Sequence, residues 1–329
     1  MLLNLFIFSF KMKLFFKKLI FFIPFSIAIY FLLILVSGTI LPKSFRINLN
    51  YPKAGYGHMF SRINDANKLE KIDLLILGSS TAYRGYDTRI IDSVLRIKSF
   101  NLGSSGQTPI QTNYLLKKYL DKLNPTQIIY DAYPGVFFAD GTESTTDLIA
   151  NDNLNINMLF LLQENFNIKT INELIFKIWE YFLGWDKDIK ENEFKNSDFY
   201  VKGGGYVELI KNIRKKNDLT ELGDINQKQL EYFHRNIALI KSKNIDLIIV
   251  VPPINTNLYR RIDKIISVSS IIDSSLILFD YNSVGEIITF RDELFYDSHH
   301  LNQKGVEIFN RVLIQDMNEM KRESAFSTN

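Results

Sequence analysis

The sequence predicts an α/β domain, a mainly parallel sheet with helices on both faces, carried behind one membrane-spanning helix. Three observations predict it. Short apolar runs rich in Leu, Ile and Val alternate with helical patterns along most of the chain. Those runs are continuously apolar, as in strands covered on both faces. The run Leu19 to Leu41 holds no charged residue, and at about 1.5 Å per residue it is long enough to cross a hydrocarbon core of about 30 Å.

The N-terminal run follows Lys11, Lys13, Lys17 and Lys18 and precedes the sparser Lys43, Arg46 and Lys53. The denser cluster predicts a cytoplasmic segment 1–18, a signal anchor 19–41 and an exported remainder, periplasmic or extracellular. Pro24 is tolerated near the start of such a helix. Two rival readings are a cleaved signal peptide, with Val36-Ser37-Gly38 as the small-residue site, and a buried core helix. The run is long for the first and its basic flanks argue against the second. With no cysteine in the chain, a lipidated signal, disulfides, thiolate catalysis and Cys-ligated metals are excluded.

Residues 42–71 read as a polar connector with Pro42, Pro52, Gly55 and Gly57 and a short helical pattern at 63–69. The domain then spans 72–329. Strands are expected at 73–77, 99–102, 127–131, 246–251 and 276–280, and helices at 88–95, 110–123, 227–243, 257–266 and 303–320. Residues 136–226 break the alternation and read as a largely helical insertion. It carries an acidic, Asn-rich stretch from Asp140 to Asn157, an aromatic helical segment from Ile171 to Trp185, and Gly203-Gly204-Gly205. One reading is a subdomain packing its own aromatics. The other is a lid or acceptor surface, with Tyr181, Trp185 and Tyr200 stacking on sugar rings.

The chain has 39 Lys and Arg against 36 Asp and Glu, and the lysines of the N-terminal segment account for the basic excess. The remainder is near neutral, without the basic stripe that nucleic-acid binding requires.

Two motifs carry chemistry. Leu74-Leu75-Ile76-Leu77-Gly78-Ser79-Ser80 is a strand delivering small hydroxyl residues to a tight turn. Asp297-Ser298-His299-His300-Leu301-Asn302 sets a carboxylate three residues before an imidazole, ahead of the last helix. Ser-His-Asp catalysis needs those groups: an oxygen nucleophile, a neutral imidazole to take its proton, and a carboxylate to fix the imidazole's tautomer. Ser79 competes with Ser80, and both compete with a reading in which they only close a turn. His299 competes with His300, the offset from Asp297 favouring His300 and leaving His299 at the surface or behind the site. A metal reading of Asp297, His299 and His300 finds no further support in the spacing of His58 or His234.

In these blocks the chain resembles the SGNH (GDSL-type) hydrolases over residues 72–135 and 228–318. Ser80 matches that family's nucleophile, Asp297 its acid and His300 its base, with Asn302 and Gly305 matching the usual continuation. Phe100-Asn101-Leu102-Gly103 matches the block whose glycine offers an N–H to the oxyanion hole. The family's third block is Gly-x-Asn-Asp; here Tyr130-Asp131-Ala132-Tyr133-Pro134-Gly135 lacks the Asn, and Tyr133 stands nearest its place. Ser104 and Ser105 would shape the pocket floor or cap the helix at Pro109.

The resemblance implies a three-layer α/β/α, flavodoxin-like fold and a Ser80–His300–Asp297 triad. It also implies an oxyanion hole from the amides of Ser80 and Gly103 with Tyr133 as substitute donor. Neither metal nor cofactor is called for. The implied activity is that of a membrane-tethered esterase or O-acyltransferase acting on acyl, chiefly acetyl, esters of envelope or exported polysaccharide. A transferase would take its acyl group from a multi-spanning membrane partner. The contrasting reading is a non-catalytic glycan-binding or scaffolding module of the same fold, favoured by the missing Asn.

Overall fold

The computed structural model describes residues 2–327 apart from 43, 44, 47, 48, 50–52, 186–188, 211–221 and 283–289. Lys43 and Pro52 of the expected connector, and three stretches of the domain, lie outside the described residues. The apolar run forms one helix, α1 (Leu2–Thr39), with Pro24 inside it, long and apolar enough to cross a membrane. The connector's helical pattern becomes α2 (Met59–Lys68), whose Met59, Ile63 and Ala66 are buried.

From there strands and helices alternate. β1 (Leu74–Leu77) leads into α3 (Ser80–Gly85) and α4 (Thr88–Leu95). β2 (Ser99–Asn101), α5 (Pro109–Leu123) and β3 (Gln127–Asp131) follow. The insertion holds α6 (Thr142–Asn151), α7 (Met158–Glu164) and α8 (Ile168–Leu183). It continues through β4 (Phe194–Lys195), β5 (Asp198–Tyr200) and β6 (Val207–Leu209). The chain returns through α9 (Gln227–Ser242), β7 (Asp246–Val251), α10 (Thr256–Asp263), α11 (Val268–Ile271), β8 (Ile277–Asp280) and α12 (Gln303–Ser327).

Strands β1, β2, β3, β7 and β8 form one parallel sheet in the order β2-β1-β3-β7-β8. The expected fold class is therefore met. Successive side chains of the strands serve opposite faces. Leu75, Leu77, Ile128, Tyr130 and Ile249 join the core beneath α2, α5 and α9. Leu74, Ile76, Ile129, Ile248 and Val250 join a second core with Ile91 of α4 and Phe309 and Leu313 of α12.

The order reverses at β1, so the carboxyl ends of β1 and β3 open a crevice where ligands bind in such sheets. Ser80 follows β1 and Tyr133 follows β3.

Helices account for most of the insertion's regular structure, as expected, but it also holds a small sheet that the sequence did not show. β4, β5 and β6 form a separate antiparallel sheet, whose two- and three-residue strands are too short to show a period. Its glycines have a definite use: Gly205 has φ +76, and a Cβ there would lie 2.1 Å from the Asn101 carbonyl oxygen. The Asn101 N–H donates to the Gly204 carbonyl at 2.9 Å, docking the insertion on the outer edge of β2.

Candidate active site

The turn after β1 is built by packing and hydrogen bonds. Gly78 has φ +149, and a Cβ at that position would meet the Asp131 Cβ at 2.6 Å. The site therefore needs glycine. Ser79 caps α3: its Oγ lies 2.9 Å from Thr81 Oγ1, and the Thr81 hydroxyl donates to Asp131 Oδ1 at 2.8 Å. Asp131 Oδ1 also accepts from the Tyr133 N–H at 3.2 Å. The turn after β1 is thus fastened to the end of β3, and burial raises the Asp131 carboxyl to about 7.

This resolves the neighbouring serines. Ser79 is buried and occupied within the turn, whereas Ser80 Oγ lies 2.7 Å from His300 Nε2. His300 Nδ1 lies 2.8 Å from Asp297 Oδ2 and 3.0 Å from Oδ1. A carboxylate can only accept, so Nδ1 carries the proton and the lone pair of Nε2 faces the Ser80 hydroxyl. Asp297 Oδ1 also accepts the N–H groups of His299 at 3.0 Å and His300 at 2.9 Å. Burial opposes ionisation of Asp297, but the His300 hydrogen bond, the neighbouring imidazoles and the backbone bond hold its pKa below the ordinary carboxylate range.

The loop bearing Asp297 and His300 is clamped at its neck. Tyr296 N–H donates to the His300 carbonyl at 2.8 Å, and Phe295 and Leu301 form an isolated antiparallel bridge. Asn302 donates to the Glu293 carbonyl at 2.6 Å and accepts from the Gly305 N–H at 3.0 Å at the start of α12. Asn255 N–H holds the Ser298 carbonyl at 3.0 Å.

His299 does not sit on an outer surface. It lines the cleft, with its ring stacked on Tyr133 at 5.2 Å between centroids and an interplanar angle of 8°. Its other neighbour is His300, at 4.1 Å. Enclosure, and then the charge of His300, push it down to about 3. Asp297, His299 and His300 are also the group among the described residues whose donor atoms converge as metal ligands do. Both ring nitrogens of His300 are engaged, and His299 Nδ1 lies 3.0 Å from Ser298 Oγ. Both ring nitrogens of His300 and both carboxylate oxygens of Asp297 are thus held in one hydrogen-bond chain.

Two expectations about the oxyanion hole and its floor change. The Gly103 N–H donates to Asn101 Oδ1 at 3.1 Å, so it is not a free donor facing Ser80. The Asn101 side chain folds back on its own strand end, which no spacing reveals. Ser80 N–H opens α3 and has no carbonyl within that helix to receive it. Tyr133 lines the cleft, and burial, with the charges of Asp297 and Asp131 adding to it, raises its phenol and keeps it an O–H donor. Ser104 and Ser105 do not cap α5, whose N-terminus is closed by a capping box of Thr108 and Gln111. Ser104 pairs with Ser144, whereas Ser105 lines the cleft 3.2 Å from the Tyr83 hydroxyl.

The cleft has a volume of about 510 Å³ and extends well beyond Ser80. Its far wall comes from Gly55 to His58 of the connector and from Glu191, Lys195 and Asp198 of the insertion. His58 Nδ1 stands 3.6 Å from Glu191 Oε1, with Tyr200 stacked on the imidazole. Arg84 holds Asp198 bidentately at 2.9 and 2.8 Å. Sequence spacing gave no signal for His58 and Glu191, which meet only through the fold. Nor do the three aromatics singled out serve the cleft. Tyr200 is buried and donates to Asp65 at 2.8 Å, while Tyr181 and Trp185 are exposed on and just beyond α8, outside the cleft wall.

No protein-family model matches the chain, and no curated protein matches it. Among solved structures it is similar to a provisionally assigned acylhydrolase from Bacteroides fragilis. The two are 12% identical over 80% of this chain and 98% of the other, with a TM-score of 0.39. It is also similar to a GDSL-like lipase from Bacteroides thetaiotaomicron, 11% identical over 80% and 98%, with a TM-score of 0.38. At those scores the overlap assigns neither family nor activity, and both must be read from the chain's own residues.

Proposed function

We propose that the chain is a serine acyl-ester hydrolase or O-acyltransferase working through Ser80, His300 and Asp297. The observation that carries this reading is the unbroken hydrogen-bond chain from Ser80 Oγ through both ring nitrogens of His300 to Asp297. The same residues carry the resemblance to SGNH hydrolases.

In the first step Ser80 Oγ attacks the ester carbonyl while its proton passes to His300 Nε2. Asp297, ionised throughout the neutral range, stabilises the imidazolium and fixes its tautomer. The oxyanion is received by the Ser80 N–H and the Tyr133 hydroxyl, Gly103 contributing only when its bond to Asn101 Oδ1 gives way. His300 then protonates the leaving alkoxide. In the second step a hydroxyl, from water or from a sugar, gives its proton to His300 and attacks the acyl-Ser80 carbonyl, and His300 returns the proton to Ser80 Oγ. Water yields a free acid and a sugar yields an O-acyl glycan.

Glu143, Lys195, Asn196 and Asp198 on the cleft wall suit a polyhydroxylated acceptor, and α1 is read as a retained anchor with the domain exported. Envelope or exported polysaccharide is the substrate class proposed on those two grounds, with a multi-spanning membrane protein as acyl donor if the reaction is transfer. The test is stopped-flow hydrolysis of 4-nitrophenyl acetate by the full-length protein in detergent, with and without soluble glycans. A burst absent in Ser80→Ala supports the acyl-enzyme, and the split between acetate and acetylated glycan separates the two activities. No burst, with identical behaviour of wild type and Ser80→Ala, favours the non-catalytic glycan-binding module.

A further inference from the structure

Helix α8 is turned inside out for a helix surrounded by water. Glu173 and Lys177, one turn apart, are buried at 3% and 1% exposure. Meanwhile Ile178, Tyr181 and Phe182 are exposed, Phe182 at 75%. Phe166 and Ile168 before the helix interior and Trp185 just after its end extend the exposed apolar surface. Scattered exposed apolar residues need no explanation, but a contiguous aromatic patch on one element does. Tyr181 and Phe182 meet edge to face at 5.7 Å between ring centroids, yet both stay exposed, so packing on one another does not cover them.

The neighbour of α8 identifies the medium. α1 packs along it: the Tyr30 hydroxyl donates to Asn172 Oδ1, and Gly38 lets the Phe176 ring approach so closely that a Cβ there would lie 2.1 Å away. The segment from Tyr30 to Gly38 belongs to the C-terminal half of the uncharged run 19–41. Whatever surrounds that half of α1 also meets the flank of α8. Trp and Tyr at the edge of an apolar face are the side chains that settle at a bilayer interface.

We infer that the outward face of α8, from Phe166 to Trp185, docks into the lipid leaflet from which the C-terminal end of α1 emerges. This rests on the reading of α1 as a retained membrane span. The insertion is then a second membrane contact that fixes the orientation of the domain, and the cleft works at a set height above the bilayer.

The chain has two tryptophans, so Trp179→Phe leaves Trp185 as sole reporter. Full-length protein of that background goes into phosphatidylcholine–phosphatidylglycerol vesicles with or without bromine on the acyl chains, and retention is checked by an alkaline wash. The expected result is loss of most Trp185 emission in brominated vesicles and protection from aqueous iodide, both reversed by Ile178→Asp with Phe182→Asp. Retained protein whose Trp185 is quenched by iodide and not by bromine overturns the docking and leaves the anchor standing. Protection from both quenchers means that protein, such as a second copy, covers the face, and also overturns it. Protein washed off the vesicles removes the anchor reading, and the docking with it.

Discussion

Two histidine–carboxylate pairs line the same cleft, and they differ in what their surroundings let them do. His300 and Asp297 are hydrogen-bonded at 2.8 Å, partly exposed, and aimed at a serine hydroxyl. His58 and Glu191 stand 3.6 Å apart with side chains 2% and 1% exposed, and neither His58 Nδ1 nor Glu191 Oε1 has a hydrogen-bond partner among the described residues. Glu191 Oε2 is instead spent on the N–H and hydroxyl of Ser61, at 3.1 and 2.8 Å. Burial lowers the His58 pKa despite the nearby Glu191 charge. The same two residue types thus take a geometry suited to proton transfer in one place and join connector and insertion in the other. Hydrogen-bond reach and access to a nucleophile decide which.

Removing each histidine in turn separates the two pairs. Ser80→Ala or His300→Gln should lower ester turnover by about 10⁴-fold or more, since members of a triad act as a unit. His58→Gln should stay within about tenfold of wild type. Steady-state hydrolysis measures both, and a large loss in His58→Gln would put the second pair in the chemistry. Asp297→Asn keeps the shape but not the tautomer of His300, and should cost about 10³- to 10⁴-fold in the same assay.

Glu191→Ala should act on stability instead. It strands the Ser61 N–H and hydroxyl, at about 1–3 kcal/mol, read from the midpoint of urea unfolding, with turnover little changed.

The smallest expected effects are in pH dependence. A histidine whose folded pKa is depressed binds fewer protons folded than unfolded, so the stability it contributes is present above about 6.5 and is lost as pH falls. His299 loses it between the ordinary value and about 3, and His58 has the same sign. Asp131 has the opposite sign: raised from 3.8 to about 7, it makes the native state less stable as pH rises through that window. Urea titrations at pH 5 and pH 7 should show His58→Gln losing less stability on acidification than wild type. Asp131→Asn should remove the decline between pH 4 and 7. A pH profile unchanged in both variants would remove burial as the cause of the shifts.

Much of the fold was legible because β1, β3 and β7 are continuous apolar runs ending at turn residues, a pattern that buried parallel strands share. Ser80, His300 and Asp297 were legible because a short strand-to-turn motif and a three-residue offset survive in one dimension. Ser79 was ruled out only by its bonds to Thr81, which are three-dimensional. The free amide expected at Gly103 failed because a side-chain rotamer of Asn101 decides it. β4 to β6 escaped because two or three residues carry no period. The aromatic helix α8 was legible from its composition, but whether its aromatics pack inward or stay outward was left open, because a stripe shows that a helix has an apolar face and not what covers it; Tyr181, Phe182 and Trp185 are exposed.

The proposed triad requires that His300 and Asp297 activate Ser80. The most direct measurement is peptide mass spectrometry of the full-length protein after treatment with a fluorophosphonate, which labels activated serines. An activated Ser80 gives a single adduct that disappears in His300→Gln; an adduct on Ser79 or Ser105, or equal labelling of Ser80 with and without His300, would rule the triad out.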